Sequence, residues 1–291
     1  MSGELDLIER LRALPLHPGA RNLDDDAAVL QIGGETLVLT HDMLIEGVHT
    51  APGQDAADVA WKLVATNLSD LAAKGARPVG VLIGFTRGGD DDRFVAGLEE
   101  ALSHFAVPLL GGDTVAGGPP RSHGLTAIGR ATHVPVPARS GARPGDAVWV
   151  TGILGAALAG YEAFLAGDRP RADAYLRPRP LVEEGIALAP VATAMMDVSD
   201  GLLLDAWRMA RASGASFALD SAAAPVALPE GRRDEALRWG DDYQLLFTLP
   251  AGIAPPLRAT RIGAVTRREG DAALILDGES IESPDGLGYN H

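Results

Sequence analysis

Residues 21–42, RNLDDDAAVLQIGGETLVLTHD, decide how the first half of this chain begins to fold. Apolar residues on both sides of the glycine pair predict two strands joined by a tight turn, which is a hairpin pattern. Directly before the first strand stand three adjacent carboxylates, Asp24, Asp25 and Asp26. Like charges repel one another, and burying one of them unpaired is costly. They are therefore either a solvated turn or are held together by a positive partner that the sequence does not contain.

The segments that follow alternate between helix and strand signals. Residues 55–76 carry apolar side chains on a helical period and predict a long amphipathic helix, which Asp55 or Asp58 begins and Gly75 ends. Other helices are predicted over residues 4–14 and 91–105. Strands are predicted over the apolar runs PVGVLIGF, VPLL and HGLTAIGRATH, with GGDTVAGGPP as a loop.

A Pro-, Gly- and Arg-rich segment at residues 134–146 is the best candidate domain boundary. After it, helices and short strands alternate again to the end of the chain, and GDRPRADAYLRPRP resembles a second boundary inside this half. The fold class is therefore predicted to be α/β (α+β) with two mixed domains, residues 1–137 and residues 138–291.

Composition excludes several classes of function. The chain has 291 residues, a formal net charge of −14 and no Cys, so a general nucleic-acid-binding surface, a disulfide and a thiolate site are not expected. It has neither a P-loop motif, nor an apolar run long enough to span a membrane, nor an export signal. These absences predict a cytoplasmic protein that makes no use of a membrane or of nucleic acid.

Aspartates recur beside the ends of predicted strands and helices, in the runs DDDAAV, THD, NLSD, GGDT, DVSD and GDDY. Dispersed carboxylates that converge on phosphates would suit Mg²⁺, a hard cation that takes oxygen ligands. The alternative is structural, because an Asp at such a junction is usually an N-cap or a turn residue. Asp197 or Ser199 would then cap a helix that begins near Gly201, and Asp70 would pair with Lys74 one helical turn later.

Taken together, these motifs resemble the thiamine-monophosphate kinase family. The resemblance covers nearly the whole chain in order, through NLDDDAAVL, THDMLIEGVHT, NLSDLAAKGARP, LLGGDT, RSGARPGDAVWVTGILG, LRPRP, MDVSDGLLLD, GDDYQLLFT and GYNH. It implies two α/β domains and a homodimer that pairs the N-terminal sheets, with ATP across the dimer interface. It also implies an ATP-dependent kinase of thiamine biosynthesis that converts thiamine monophosphate to thiamine diphosphate.

The resemblance assigns roles to individual residues of this sequence. The implied substrate-binding residues are His49, Asp241 and Tyr289. The implied ATP-binding residues are Gly112, Asp113, Arg139 and Ser199. The implied metal positions, which would hold several Mg²⁺ ions, are Asp26, Thr40, His41, Asp42, Asp70, Asp113, Asp197 and Asp200.

Several residues depart from the family pattern. His41 replaces a Thr, so this position would bind metal through its backbone carbonyl or its imidazole, or would lose a ligand. Asp24 stands where the family has Gly, and is either solvated or a charge outside the ligand set. The other departures are Thr50 for an aromatic residue, Asp241 and Gln244 for Glu, and Asn290 for Asp.

The implied chemistry needs no general base, because the acceptor is a phosphate whose second pKa is near 6 and which is mostly ionised at neutral pH. The aspartates are therefore expected to bind metal rather than to abstract a proton, with direct in-line transfer and no phosphoenzyme. Two other functions stay open. One is a synthetase resembling aminoimidazole ribonucleotide synthetase, and the other is a non-catalytic subunit that binds nucleotide or metal.

Overall fold

Two β-sheets organise the chain, and the computed structural model describes residues 3–268 and 270–289. The first sheet has five strands in the order β1-β2-β5-β3-β4, in which only β3 and β4 run parallel. Its strands are β1 (Ala28–Ile32), β2 (Glu35–Ile45), β3 (Ala76–Arg87), β4 (Leu109–Ala116) and β5 (Ser122–Ala131). The predicted hairpin is confirmed, because β1 and β2 pair in antiparallel register from Ala28 opposite Leu39 to Ile32 opposite Glu35.

Three helices belong to this half of the chain, α1 (Gly3–Arg12), α2 (Ala56–Ala73) and α3 (Asp91–His104). Helix α2 begins as predicted, because the Asp55 side chain accepts a hydrogen bond from the Ala57 N–H. It is more than amphipathic, since nearly every residue of it is buried. One side packs on β2 and β5, and the other side meets elements of the second half. Its polar residues are therefore buried together with its apolar ones.

The second sheet has seven strands in the order β12-β11-β8-β10-β6-β9-β7. Its strands are β6 (Ala147–Thr151), β7 (Ala194–Asp197), β8 (Ser216–Leu219), β9 (Leu245–Leu249), β10 (Ala259–Thr266), β11 (Leu274–Leu276) and β12 (Glu279–Ile281). The helices of this half are α4 (Ala156–Leu165), α5 (Asp173–Leu176), α6 (Val182–Leu188), α7 (Leu202–Ala212) and α8 (Arg233–Trp239). The mixed α/β class with two sheets is confirmed, and the division at residues 137 and 138 stays a prediction.

Two segments differ from the sequence prediction. GGDT, residues 111–114, is part of strand β4 rather than a loop, because it continues the parallel pairing with β3. The run predicted as a second boundary is packed against the first half instead. In this run Arg177 Nε lies 2.6 Å from Asp58 Oδ1, and the Pro178 carbonyl accepts a hydrogen bond of 3.1 Å from the Trp61 indole.

The two faces of the first sheet have different surroundings. Residues of β2 alternate between the faces, and Thr40 contacts Asp70 of α2 on the covered face. On the other face, Met43 and Leu82 remain 48% and 39% exposed. We call this surface the open face. Asp113 belongs to it, because it is in register with Met43 through Gly84 of β3 and Gly124 of β5.

Within the described ranges, no helix combines the length and the apolar character that a membrane span requires.

Candidate active site

Three carboxylates that are far apart in the sequence meet between the two sheets. Asp26 precedes β1, Asp70 lies in α2 and Asp197 ends β7, and one carboxylate oxygen from each lies within 4.8 Å of those of the other two. Hydroxyl groups orient two of them. Thr40 Oγ1 donates a hydrogen bond to Asp70, and Ser69 Oγ donates one of 2.5 Å to Asp197. We call Asp26, Asp70 and Asp197 the carboxylate cluster.

Burial and neighbouring like charges act together on two carboxylates of the cluster. Burial raises the pKa of Asp70 well above its usual range, and the nearby charges of Asp42, Asp197 and Asp26 raise it further. Burial, followed by the charge of Asp26, raises the pKa of Asp197 to about 8. Buried oxygen ligands that resist ionisation in the absence of a cation fit Mg²⁺, which supplies the compensating charge.

Asp26 differs from the other two because the chain supplies its counter-charges. Burial alone would raise its pKa, but the charges of Arg139 and Lys74 outweigh that effect and lower it to about 2. Arg139 Nε lies 2.6 Å from one oxygen of Asp26, and Lys74 Nζ lies 2.5 Å from the other. The predicted pairing of Lys74 with Asp70 is therefore wrong, since the ammonium points to the residues before β1.

The three adjacent aspartates have cations within the chain. Asp25 pairs with Lys74 Nζ at 2.5 Å and with Arg21 Nη1 at 2.5 Å. Asp24, which is exposed, pairs with Arg12. The alternative in which the positive partner lies outside the chain is therefore wrong for Asp24 and Asp25, because the nearby Arg12 and Arg21 and the distant Lys74 pair with them. Mg²⁺ binding by Asp26 stays a prediction.

The polar residues of the NLSD motif connect helix α2 to other elements of the chain. The Asn67 side chain accepts a hydrogen bond of 3.0 Å from the Asp42 backbone N–H, which fixes strand β2 against the helix. Ser69 holds Asp197, and Asp70 joins the carboxylate cluster. Successive polar residues of one helix therefore organise β2, β7 and the cluster.

Asp205, which had no predicted role, holds the loop between β7 and α7. Its Oδ2 accepts hydrogen bonds of 3.0 Å from the backbone N–H groups of Ser199 and Asp200. Arg208 pairs with both Asp200 and Asp205. Helix α7 has no side-chain cap and begins after Gly201, so the structural alternative, in which Asp197 or Ser199 caps it, is wrong.

A cleft of about 1010 Å³ lies beside the cluster and is lined by residues of both halves. Predicted site residues that line it are Asp26, Asp42, His49, Asp70, Arg139, Asp197, Ser199, Asp200, Asp241 and Tyr289. The structure therefore brings together most of the metal, ATP and substrate positions that the sequence indicated. Asn290 lies outside the described residues.

Four predicted site residues do not line this cleft. Thr40 is buried and donates a hydrogen bond to Asp70. His41 is exposed, and its Nδ1 lies 2.9 Å from Thr126 Oγ1 on the face of the sheet opposite Thr40. Gly112 and Asp113 lie on β4, the strand at the edge of the sheet.

The lining of the cleft also contains aromatic residues that sequence reasoning missed. Tyr161 lies with its ring centroid 5.1 Å from that of Tyr175 and 5.2 Å from that of Trp239. Lys62 Nζ lies 2.6 Å from Asp241 Oδ2 beside this group. The helical period of α2 predicted burial at this side of the helix but could not show which residue of another segment the ammonium would meet.

Comparisons with known proteins agree with this geometry. The model of the AIR synthase related protein N-terminal domain matches residues 24–131, and that of the C-terminal domain matches residues 143–275. Thiamine-monophosphate kinase of Escherichia coli (strain K12) is 35% identical over 306 residues, covering 92% of this chain and 91% of that protein. The kinase of Methanopyrus kandleri is 37% identical over 289 residues, with the same two coverages.

Among solved structures, AaThiL complexed with AMPPCP and TMP is similar with a TM-score of 0.84 and 30% identity. The match covers 97% of this chain and 94% of that chain. Sequence and fold thus agree over nearly the full length of both proteins. The chain belongs to the thiamine-monophosphate kinase family, within the AIR synthase related proteins.

Proposed function

We propose that this chain transfers the terminal phosphoryl group of ATP to thiamine monophosphate and so produces thiamine diphosphate and ADP. The observation that carries the proposal is the carboxylate cluster in the wall of a cleft lined by both halves of the chain. It is supported by relatives named thiamine-monophosphate kinase, which the chain matches over 91% of their length. The solved relative in complex with AMPPCP and TMP supports ATP and thiamine monophosphate as the two substrates. Because ATP is the donor, we expect the enzyme to act in the cytoplasm.

The residues present suit a reaction between two phosphates. Asp26, Asp42, Asp70 and Asp197 would hold Mg²⁺, with Asp200 at the edge of the same cleft. Bound Mg²⁺ would offset the repulsion between the phosphates and stabilise charge on the transferring group. Arg139, held on Asp26, adds a fixed positive charge beside the cluster. No group is needed to take a proton from the acceptor, since its phosphate is already mostly ionised.

Burial raises the pKa of Asp70 and, with the charge of Asp26, raises that of Asp197 to about 8, so cation binding is expected to displace protons from the cluster. The cluster therefore acts as a ligand set and not as a catalytic base. We infer direct transfer to thiamine monophosphate without a phosphorylated aspartate. Acid-quench trapping during turnover with labelled ATP tests this point, and a labelled Asp would contradict it.

We infer further that the active unit is a homodimer joined through the open face. Met43 and Leu82 leave apolar surface uncovered there, and burying such surface between two copies would stabilise a dimer. Asp113 and Gly112 lie on or beside this face rather than in the cleft. In a dimer they would complete the ATP site of the partner subunit, and His41 would lie within the interface.

A coupled assay with ATP and Mg²⁺ tests the function. Product is expected with thiamine monophosphate and not with thiamine, which lacks the acceptor phosphate. ATP and Mg²⁺ binding without turnover would indicate a non-catalytic subunit. ATP hydrolysis that ignores thiamine monophosphate would indicate another synthetase of the AIR synthase related group.

A further inference from the structure

Lys62 is a fully buried cation that joins the two halves of the chain beside the cleft. Its side chain, on α2, is 1% exposed. Its Nζ lies 2.6 Å from Asp241 Oδ2, 3.2 Å from the His49 carbonyl oxygen and 4.3 Å from the centroid of the Tyr175 ring. An ammonium removed from water needs such partners, because an unpaired buried charge is strongly destabilising.

The partner of Lys62 is held in an unusual backbone conformation. Asp241 and Tyr243 have positive φ angles of 61° and 51°. Residues other than glycine adopt such backbone angles at an energetic cost. Tyr243 Oη donates a hydrogen bond of 2.8 Å to Asp241 Oδ1, while Lys62 binds the other oxygen. Both oxygens of this carboxylate are therefore fixed before any ligand binds. Each oxygen keeps a second lone pair, so the group can still accept a hydrogen bond from the cleft.

Asp241 is partly exposed to the cleft, with 26% of its side chain accessible. Its charge is balanced locally by Lys62, so the pair offers an oriented acceptor without adding net negative charge to an already acidic cleft. Such an acceptor suits an N–H donor of a neutral ring group. Orientation before binding spares the substrate the cost of ordering the carboxylate.

We propose that Lys62 is a positioning residue for the organic portion of thiamine monophosphate, acting through Asp241. This inference rests on the proposed function, which assigns Asp241 to the substrate side of the cleft. Lys62 itself is not among the residues that line the cleft. Its removal should therefore weaken binding of thiamine monophosphate and leave binding of ATP nearly unchanged.

The competing explanation is that Lys62 only fastens the two halves together. The same helix offers a matched control one turn earlier. Asp58 is buried and pairs with Arg177 at 2.6 Å and with Arg169 at 3.0 Å, both from the second half. Neither Asp58 nor these arginines line the cleft. Breaking this second ion pair should weaken the packing of α2 against the second half of the chain without changing the contacts of Asp241.

The experiment compares Lys62→Met, Lys62→Arg and Arg177→Met in kcat, in the two KM values and in melting temperature. Lys62→Met should raise KM for thiamine monophosphate by about tenfold or more, because a charge-assisted hydrogen bond is lost, and should leave KM for ATP within about twofold. Lys62→Arg should recover most of the affinity. Arg177→Met should lower the melting temperature and leave both KM values within about twofold.

A double-mutant cycle shows whether Lys62 acts through Asp241. The effect of Lys62→Met on KM should vanish in an Asp241→Asn background, since the group that Lys62 orients is then changed. Additive effects would overturn the proposal, as would equal shifts of both KM values or equal behaviour of Lys62→Met and Arg177→Met. Should Lys62→Met fail to fold, Lys62→Gln, which keeps an N–H donor but removes the charge, replaces it with and without Asp241→Asn, and the same outcomes decide.

Failure of the proposed function would be seen separately. In that case the unaltered enzyme itself would show no turnover that depends on thiamine monophosphate. If only the Lys62 proposal is wrong, the unaltered enzyme still shows that turnover, and only the KM values of the variants depart from those expected.

Discussion

Ser69 Oγ donates a 2.5 Å hydrogen bond to Asp197 Oδ2 and so joins helix α2 of the first half to strand β7 of the second half at the carboxylate cluster. The bond orients a carboxylate and lowers its pKa against the larger opposing effect of burial. Removing a hydrogen bond that orients a metal ligand commonly weakens metal affinity by about tenfold to a hundredfold.

Ser69→Ala should raise the Mg²⁺ concentration needed for half-maximal activity by about tenfold, because Asp197 then ionises and orients less readily. The melting temperature should change by no more than about 3 °C, the scale of one lost hydrogen bond. Thr132→Ala is the matched control, since Thr132 Oγ1 donates a 2.6 Å bond to the Gly75 carbonyl away from the cleft. An equal Mg²⁺ effect in both variants would contradict the role of Ser69.

The metal-free protein should lose stability as the pH rises from 5 to 8. Burial raises the pKa of folded Asp197 to about 8 and also raises that of Asp70, whereas an unfolded Asp releases its proton near pH 4. The folded state therefore binds more protons over this range, and stability falls with pH. We expect the melting temperature to fall by about 5 °C or more. Asp26 does not oppose this trend, because its lowered pKa makes its contribution complete below pH 5.

Mg²⁺ should remove much of this pH dependence, and the Asp197→Asn variant should show less of it without metal. Part of the fall in melting temperature with pH should persist with Mg²⁺, because burial also raises the pKa of Asp205 and of Asp242 to about 7. Differential scanning fluorimetry at several pH values, with and without Mg²⁺, measures all three effects. A metal-free melting temperature that rises from pH 5 to 8 would contradict the assignment.

Mixing two inactive variants tests whether Asp113 acts in the partner subunit. Asp70→Asn and Asp113→Asn should each abolish most activity. If each site combines Asp70 of one chain with Asp113 of the other, half of the randomly mixed dimers carry one intact site. Refolding the mixture should then restore about a quarter of the wild-type activity. The prediction would be contradicted if sedimentation showed mixed dimers and activity did not recover. Asp113 would then not complete the site that contains Asp70 of the partner subunit.

Asp205→Ala should misplace the loop that carries Ser199 and Asp200. Two backbone N–H groups would lose their acceptor, at a cost of about 1–3 kcal/mol each where they stay buried. We expect a lower melting temperature and a KM for ATP raised by about tenfold. Asp205→Asn should lose less stability, because its amide oxygen can still accept from this loop. Equal losses in the two variants would show that the negative charge, and not the hydrogen bonds, is what holds the loop.

Local sequence patterns predicted the first hairpin and the long helix α2. The glycine pair predicted the β1–β2 hairpin, and the apolar period with Asp55 before it predicted α2. These signals succeed because a tight turn and a helix cap depend on residues close in the chain. GGDT was misassigned because its membership in β4 depends on pairing with β3, which lies about 30 residues earlier.

The resemblance to a family predicted most of the cleft, and physical spacing alone did not. Asp26, Asp70 and Asp197 carry no local sign that they meet. The partner of Lys74 shows the limit clearly, because Asp70 was the nearest candidate by helical spacing, whereas the ammonium pairs with Asp25 and Asp26. A long flexible side chain inside a core takes the partners that tertiary packing brings to it.

The chain has only two lysines, and both are buried, Lys62 with 1% and Lys74 with 0% of its surface exposed. The folded surface therefore offers no lysine amine to acylating or cross-linking reagents. Covalent labelling of Lys62 or Lys74 must wait for α2 to separate from the segments around it. Mass spectrometry can measure the rate of that labelling. The rate would report how often α2 separates from the second half of the chain, without any engineered probe.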